Sequence, residues 1–165
     1  MQRIVIFGNS GSGKSTLAKD YVSKFGLSHL DLDTLAWQDT FPPTRLPLKD
    51  SAAAIEQFIT ANPTWVIEGC YSDLLRLVVK QANEMIFLNS GVETCINNCR
   101  NRSWEPHKYP SAEHQNRNLD RLIDWVREYP TRDDEFSLKS HQLIFDEFIG
   151  KKREYYSNIR NSGNE

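Results

Sequence analysis

A chain of 165 residues, 39% hydrophobic and 25% charged, is long enough to bury one core and short for two, so a single domain over residues 1–165 is expected. Its 20 Lys+Arg stand against 22 Asp+Glu, and a formal net charge of -2 speaks against an overall cationic surface for nucleic acid. No apolar run approaches the roughly 20 residues that cross a bilayer, so no membrane association and a cytoplasmic location are expected. Cys70, Cys95 and Cys99 then read as free, buried thiols; Cys95 and Cys99 share a helical face, but nothing nearby completes a zinc set.

In chain order, Met1–Ser10 holds one Arg and no small-residue cleavage site, and its run Arg3–Phe7 (RIVIF) reads as a buried strand. Helical spacing of Leu17, Ala18, Tyr21, Val22 and Phe25 predicts a helix over Lys14–Phe25, stopped by Gly26. His29–Asp33 (HLDLD) reads as a second strand. Thr34–Asp50, rich in Pro, Trp and Phe, reads as a long loop of the kind used for binding or as a lid. Ser51 is placed as the cap of a helix to Ala61, and Asn62 and Pro63 end it. Trp65–Ile67 gives a third strand, Ser72–Gln81 a helix, and Glu84–Leu88 (EMIFL) a fourth strand.

Beyond these, Glu93–Arg102 is predicted helical and Ser103–Asn116 irregular, a flap. Leu119, Leu122, Ile123, Trp125 and Val126 mark a helix ending near Pro130. A last helix is predicted over Asp133–Ile149, closed by a left-handed Gly150, with Lys152–Ser157 as a weak fifth strand and a polar tail after it. Strands separated by helices imply a parallel α/β sheet covered on both faces.

Residues Gly8 to Thr16, GNSGSGKST, match GxxxxGK[ST] between a predicted strand and a predicted helix, and chance gives such a match in about 1% of chains of this length or fewer. Glycines let successive N–H groups turn inward around a phosphate, and the helix N-terminus adds its positive end. Gly8, Asn9, Ser10, Gly11, Ser12, Gly13, Lys14, Ser15 and Thr16 are therefore the candidate nucleotide-binding residues. Lys14 would reach the β- and γ-phosphates of ATP, and Ser15 would ligate Mg²⁺.

Together with HLDLD, WVIEGCY, EMIFL and a helix ending in RNR, this loop resembles the small P-loop kinases of the adenylate kinase and shikimate kinase type, over Arg3 to about Ser157. HLDLDTLAWQ and WVIEGCY look most like a bacterial group labelled DNA topology modulation or adenylate kinase-like proteins. The resemblance implies a three-layer fold with a five-stranded parallel sheet in the order 2-3-1-4-5, an acceptor-binding segment at about 34–62 and a lid at about 102–117. It implies that Asp33 orients or deprotonates an acceptor hydroxyl, that Asp31 and Glu68 serve the metal, and that lid arginines, Arg100, Arg102 and Arg117 with Arg121, meet adenine or phosphate. On the residues themselves, Asp31 and Asp33, two apart on a strand, are expected to share its face at a carboxyl end. Tyr71 and Arg76 are possible acceptor contacts, as are Trp37 and Phe41 through stacking, while Trp65 is assigned to the core. His107, His114 and His141 receive no chemistry.

The expected activity is transfer of the γ-phosphoryl group of ATP to a small hydroxyl- or phosphate-bearing acceptor, by a monomer or homodimer. Two departures weigh against the best-known enzymes: EGCY replaces the glycine-rich run of shikimate kinase, and the arginine expected after Glu68-Gly69 in adenylate kinase is missing. The alternatives are a nucleotide-binding ATPase-type regulator of DNA topology and a GTPase-like switch. The absence of an NKxD-type guanine motif counts against the switch.

Overall fold

The computed structural model describes residues 1–158; the remainder of the predicted polar tail lies outside them. Five strands, β1 (Arg3–Gly8), β2 (Ser28–Asp31), β3 (Trp65–Gly69), β4 (Glu84–Leu88) and β5 (Lys151–Tyr155), form one sheet in the order β2-β3-β1-β4-β5. Every neighbouring pair is parallel. The helices are α1 (Lys14–Phe25), α2 (Leu48–Ala61), α3 (Ser72–Val78), α4 (Val92–Arg100), α5 (Ala112–Arg127) and α6 (Leu138–Glu147).

Alternation along the strands divides the core in two. Ile4, Ile6, Val66, Ile86 and Leu88 face α1 through Leu17 and Ala18. Val5, Phe7, Trp65, Ile67, Met85 and Phe87 face the other way, onto Ile55 and Ile59 of α2, Leu74, Leu75 and Val78 of α3 and Ile144 of α6. A third cluster, Cys95, Ile96, Cys99, Ile123 and Val126, joins α4 to α5. All three cysteines are buried free thiols, and burial pushes the Cys70 thiol up to about 12.

The sequence expectations need several corrections at element ends. β2 stops at Asp31, because the Asp31 side chain accepts from the Asp33 N–H at 2.9 Å and bends Leu32–Leu35 into a 3-10 turn. Ser51 is not a cap: α2 begins at Leu48 after Pro47, and Ser51 is buried, donating to the Leu35 carbonyl at 2.9 Å. The flap is shorter than expected, since Ser111 caps the His114 N–H at 3.1 Å and starts α5 at Ala112. α6 begins only at Leu138, because Asp134 accepts from the Phe136 N–H and Ser137 caps the Ser140 N–H. Gly150 is not left-handed; its distinction is that any Cβ there would run into the Phe148 ring. β5 is a complete strand, in register with β4 from Lys151 opposite Glu84 to Tyr155 opposite Leu88. Among the described residues no helix is long and apolar enough to cross a membrane.

Candidate functional site

The order β2-β3-β1-β4-β5 places the carboxyl ends of β1, β2 and β3 side by side, and a cleft of about 870 Å³ opens above them. Residues Ser10–Leu17, Asp31, Asp33, Glu68, Arg102, Glu105 and Lys108 are among those that line it.

One end of the cleft is built from backbone. Gly11 and Gly13 carry φ of 78° and 94°, values that suit glycine, and a Cβ on Gly11 would collide with the Cys95 carbonyl and the Cys99 sulfur. The loop is pinned from below: Asn98 Nδ2 donates to the Gly11 carbonyl at 2.7 Å and Asn9 Nδ2 to the Val126 carbonyl at 3.2 Å. The first-turn amides of α1 have no intrahelical acceptor, and no acidic residue in that turn offsets the helix dipole. Ser12 Oγ is buried with no hydrogen-bond partner among the described residues. Lys14 folds back, its Nζ donating to the Asn9 carbonyl at 2.8 Å. Unfilled donors, an orphaned hydroxyl and a flexible ammonium fit an anion such as a phosphate chain. Of the nine loop residues, Gly8 and Asn9 lie beneath the cleft and the other seven line it.

At the floor, Ser15 Oγ donates to Glu68 Oε1 at 2.8 Å, and His29 Nε2 lies 3.3 Å from the same oxygen. Glu68 is 1% exposed, and the β2–β3 register sets Asp31 directly opposite it. Ser15, Glu68 and Asp31 therefore offer oxygen atoms to a hard divalent cation. Among the described residues no three His, Cys, Asp or Glu side chains form a cage, so such a cation would rely on water and phosphate oxygens, as Mg²⁺ commonly does.

The other end is built from side chains brought from distant segments. Lys108 Nζ, on the flap, lies 2.7 Å from Asp33 Oδ2, 3.2 Å from Asp31 Oδ2 and 3.3 Å from Glu105 Oε2. His107 Nε2 is 3.9 Å from Asp31, and Arg102 pairs with Glu105 at 3.2 Å. On its far side Asp33 accepts a short hydrogen bond from the Tyr71 hydroxyl, which in turn accepts from Trp37 Nε1 at 2.8 Å. Burial and the carboxylates of Glu68 and Asp33 push Asp31 above the usual aspartate range. Burial pushes Asp33 the same way, but Lys108 outweighs it and holds Asp33 below that range. Burial alone would depress Lys108; Asp33 and Asp31 more than offset this and raise it.

The structure thus brings Asp31 and Asp33 together, though across a turn and not along one strand face. Arg102 reaches the cleft; Arg100 and Arg117 are exposed and do not line it. Arg76 pairs on the surface with Glu147 at 3.0 Å, and Phe41 is 92% exposed. Lys108, Glu105 and His29 went unnoticed in the sequence, and His107, given no chemistry there, stands near Asp31. For the three flap residues the only signal was Glu105–Tyr109, a polar and aromatic cluster in a segment without helical period; His29 lies in the strand read as HLDLD.

No protein-family model matches the chain, and no curated protein matches it. Among solved structures, a sugar kinase from Janibacter sp. HTCC2649, determined without ligand, is similar at a TM-score of 0.51 and 12% identity, over 93% of this chain and 85% of that one. At that identity the likeness is one of fold alone.

Proposed function

We propose that this chain is a P-loop phosphotransferase that moves the γ-phosphoryl group of ATP to a hydroxyl group of a small acceptor. The observation that carries the reading is the meeting, in one cleft, of the glycine loop at Gly8–Thr16 with the pair Asp31 and Asp33, both within ion-pair reach of one lysine nitrogen. In this reading the loop amides and Lys14 hold the phosphates, and Ser15, Glu68 and Asp31 hold Mg²⁺ directly or through water. The metal, when bound, neutralises charge on the phosphate oxygens. Asp33, an ionised carboxylate fixed by the Tyr71 hydroxyl, accepts the proton of the acceptor hydroxyl. Segment 34–62 shapes the acceptor end, and the flap at 102–111 excludes water.

A hydroxyl-bearing acceptor without a phosphate is favoured over a nucleotide. Arg45 is paired with both Asp73 and Glu135, at 3.1 and 2.9 Å, and Arg76 faces Glu147 on the surface; neither lines the cleft where it could read an acceptor phosphate. The activity of the structurally similar sugar kinase makes sugars the first arm of a test panel. The narrower resemblance to adenylate kinase-like proteins makes nucleosides the second. The test is incubation with MgATP and a panel of sugars, nucleosides, nucleotides and other hydroxylated metabolites, read by mass spectrometry of the phosphorylated product. One product class that is absent with Lys14→Met is expected. ATP hydrolysis indifferent to every acceptor, together with salt-sensitive DNA binding, would overturn the reading in favour of a DNA-acting ATPase.

A further inference from the structure

Lys108 sits where the proposed reaction needs something else. Its ammonium lies between the Asp31 and Asp33 carboxylates, with Glu105 completing a three-carboxylate seat, and it is only 18% exposed. A divalent cation served by Asp31 and an acceptor hydroxyl served by Asp33 would each compete with it. The contact also joins two parts of the chain that nothing else in the cleft connects so directly: the flap between α4 and α5, and the turn after β2.

The flap is otherwise tied mainly to itself and to α5. Trp104 Nε1 donates to the Tyr109 carbonyl at 2.9 Å, Gln115 Oε1 accepts from the Glu105 N–H at 2.9 Å, and Gln115 Nε2 donates to the Ser103 carbonyl at 3.1 Å. These bonds preserve the shape of the flap but do not fasten it across the cleft. The crossing contacts come from Lys108 and, at longer range, His107.

We propose that Lys108 is an autoinhibitory latch: before nucleotide binds it holds the flap closed on Asp31 and Asp33, and Mg²⁺ brought to Asp31 with the nucleotide's phosphates displaces it and frees the flap. The proposal rests on the assignment of Asp31 to the metal, and it concerns binding and flap motion alone. The lysine supplies positive charge to two carboxylates packed beside a third, Glu68, and so offsets their mutual repulsion. It also makes the flap responsive to the metal before any acceptor binds, so that closure in turnover is a second event made on the loaded site.

The test is backbone hydrogen exchange of residues 103–111 in the nucleotide-free protein, with β1 as an internal check of folding. Exchange in the flap should rise about tenfold in Lys108→Met, while Lys108→Arg, which keeps the charge, should stay near wild type. Mg²⁺ with a non-hydrolysable ATP analogue should raise wild-type flap exchange toward the Lys108→Met level and leave Lys108→Met unmoved, and the analogue with EDTA should do much less. Unchanged flap exchange in Lys108→Met, or equal effects of the analogue with and without Mg²⁺, would overturn the latch. The Lys108→Met comparison is made without nucleotide or acceptor, so its failure is distinct from a failure of the proposed phosphotransfer.

Discussion

The two ends of the cleft are built by different physics. The glycine loop is shaped locally, by its own glycines, the start of α1 and two asparagine side chains that pin it from below. The opposite end, where the proposed function puts the acceptor, is assembled from β2, the following turn, Tyr71 and a flap whose Lys108 lies far along the chain from Asp33, and it is held by ion pairs and one hydrogen-bond chain. In the proposed function the first end holds the nucleotide and the second selects the acceptor. The comparison can be broken by changing one end and reading the other.

The largest effect is expected at the prebuilt end. Lys14→Met should lower phosphoryl transfer by on the order of 10³-fold or more, with the urea midpoint unchanged, since the Lys14 ammonium donates to a loop carbonyl and packs into no core cluster. Asp33→Asn should lower turnover by roughly 10²- to 10⁴-fold while leaving nucleotide affinity within about threefold, as measured by fluorescent-nucleotide titration. Equal losses of binding at both positions would mean that the two ends are not separate.

A third effect concerns the core beneath the cleft. His141 is fully buried, its ring bonded to the Tyr129 hydroxyl at 2.7 Å and to the Cys70 carbonyl at 2.8 Å, and burial lowers its pKa to about 4. The unfolded chain, with its histidine near 6.5, binds the proton first as pH falls. Stability is therefore fully present above pH 6.5 and declines toward pH 4, by roughly 3 kcal/mol. Denaturant titrations across this window should show that decline in the wild type and a shallower one in His141→Gln.

How much of this was legible in the sequence follows the same division. β1, the loop and α1 were readable because their signals are local: a β-branched run, a spaced glycine motif and a helical period ending at Gly26. The sheet order came from resemblance, and the structure bears it out. The end of β2 was misjudged because the apolar alternation of HLDLD continues past the point where Asp31 captures the Asp33 amide. Lys108 was missed because its partners lie far away in sequence, and a single lysine in an aperiodic segment looks like any solvated charge. Trp37 was noticed for its ring, but its role in the Tyr71–Asp33 chain depends on a contact that no local pattern encodes.

Smaller effects sharpen the acceptor end. Tyr71→Phe removes the donor to Asp33 and should reduce turnover by about tenfold, with little change in nucleotide binding. Arg100→Ala and Arg117→Ala should each change turnover by less than about threefold, because both side chains are exposed and outside the cleft; a loss as large as that of Asp33→Asn would place them at the reacting phosphate after flap closure.

The most direct measurement is transfer of isotopically labelled γ-phosphate from ATP across the acceptor panel, followed in wild type, Lys14→Met and Asp33→Asn. Label recovered in one class of hydroxylated organic product, lost in both variants while Asp33→Asn still binds nucleotide, is the predicted result. Label recovered only as inorganic phosphate, at a rate that no acceptor and no change at Asp33 alters, would contradict it.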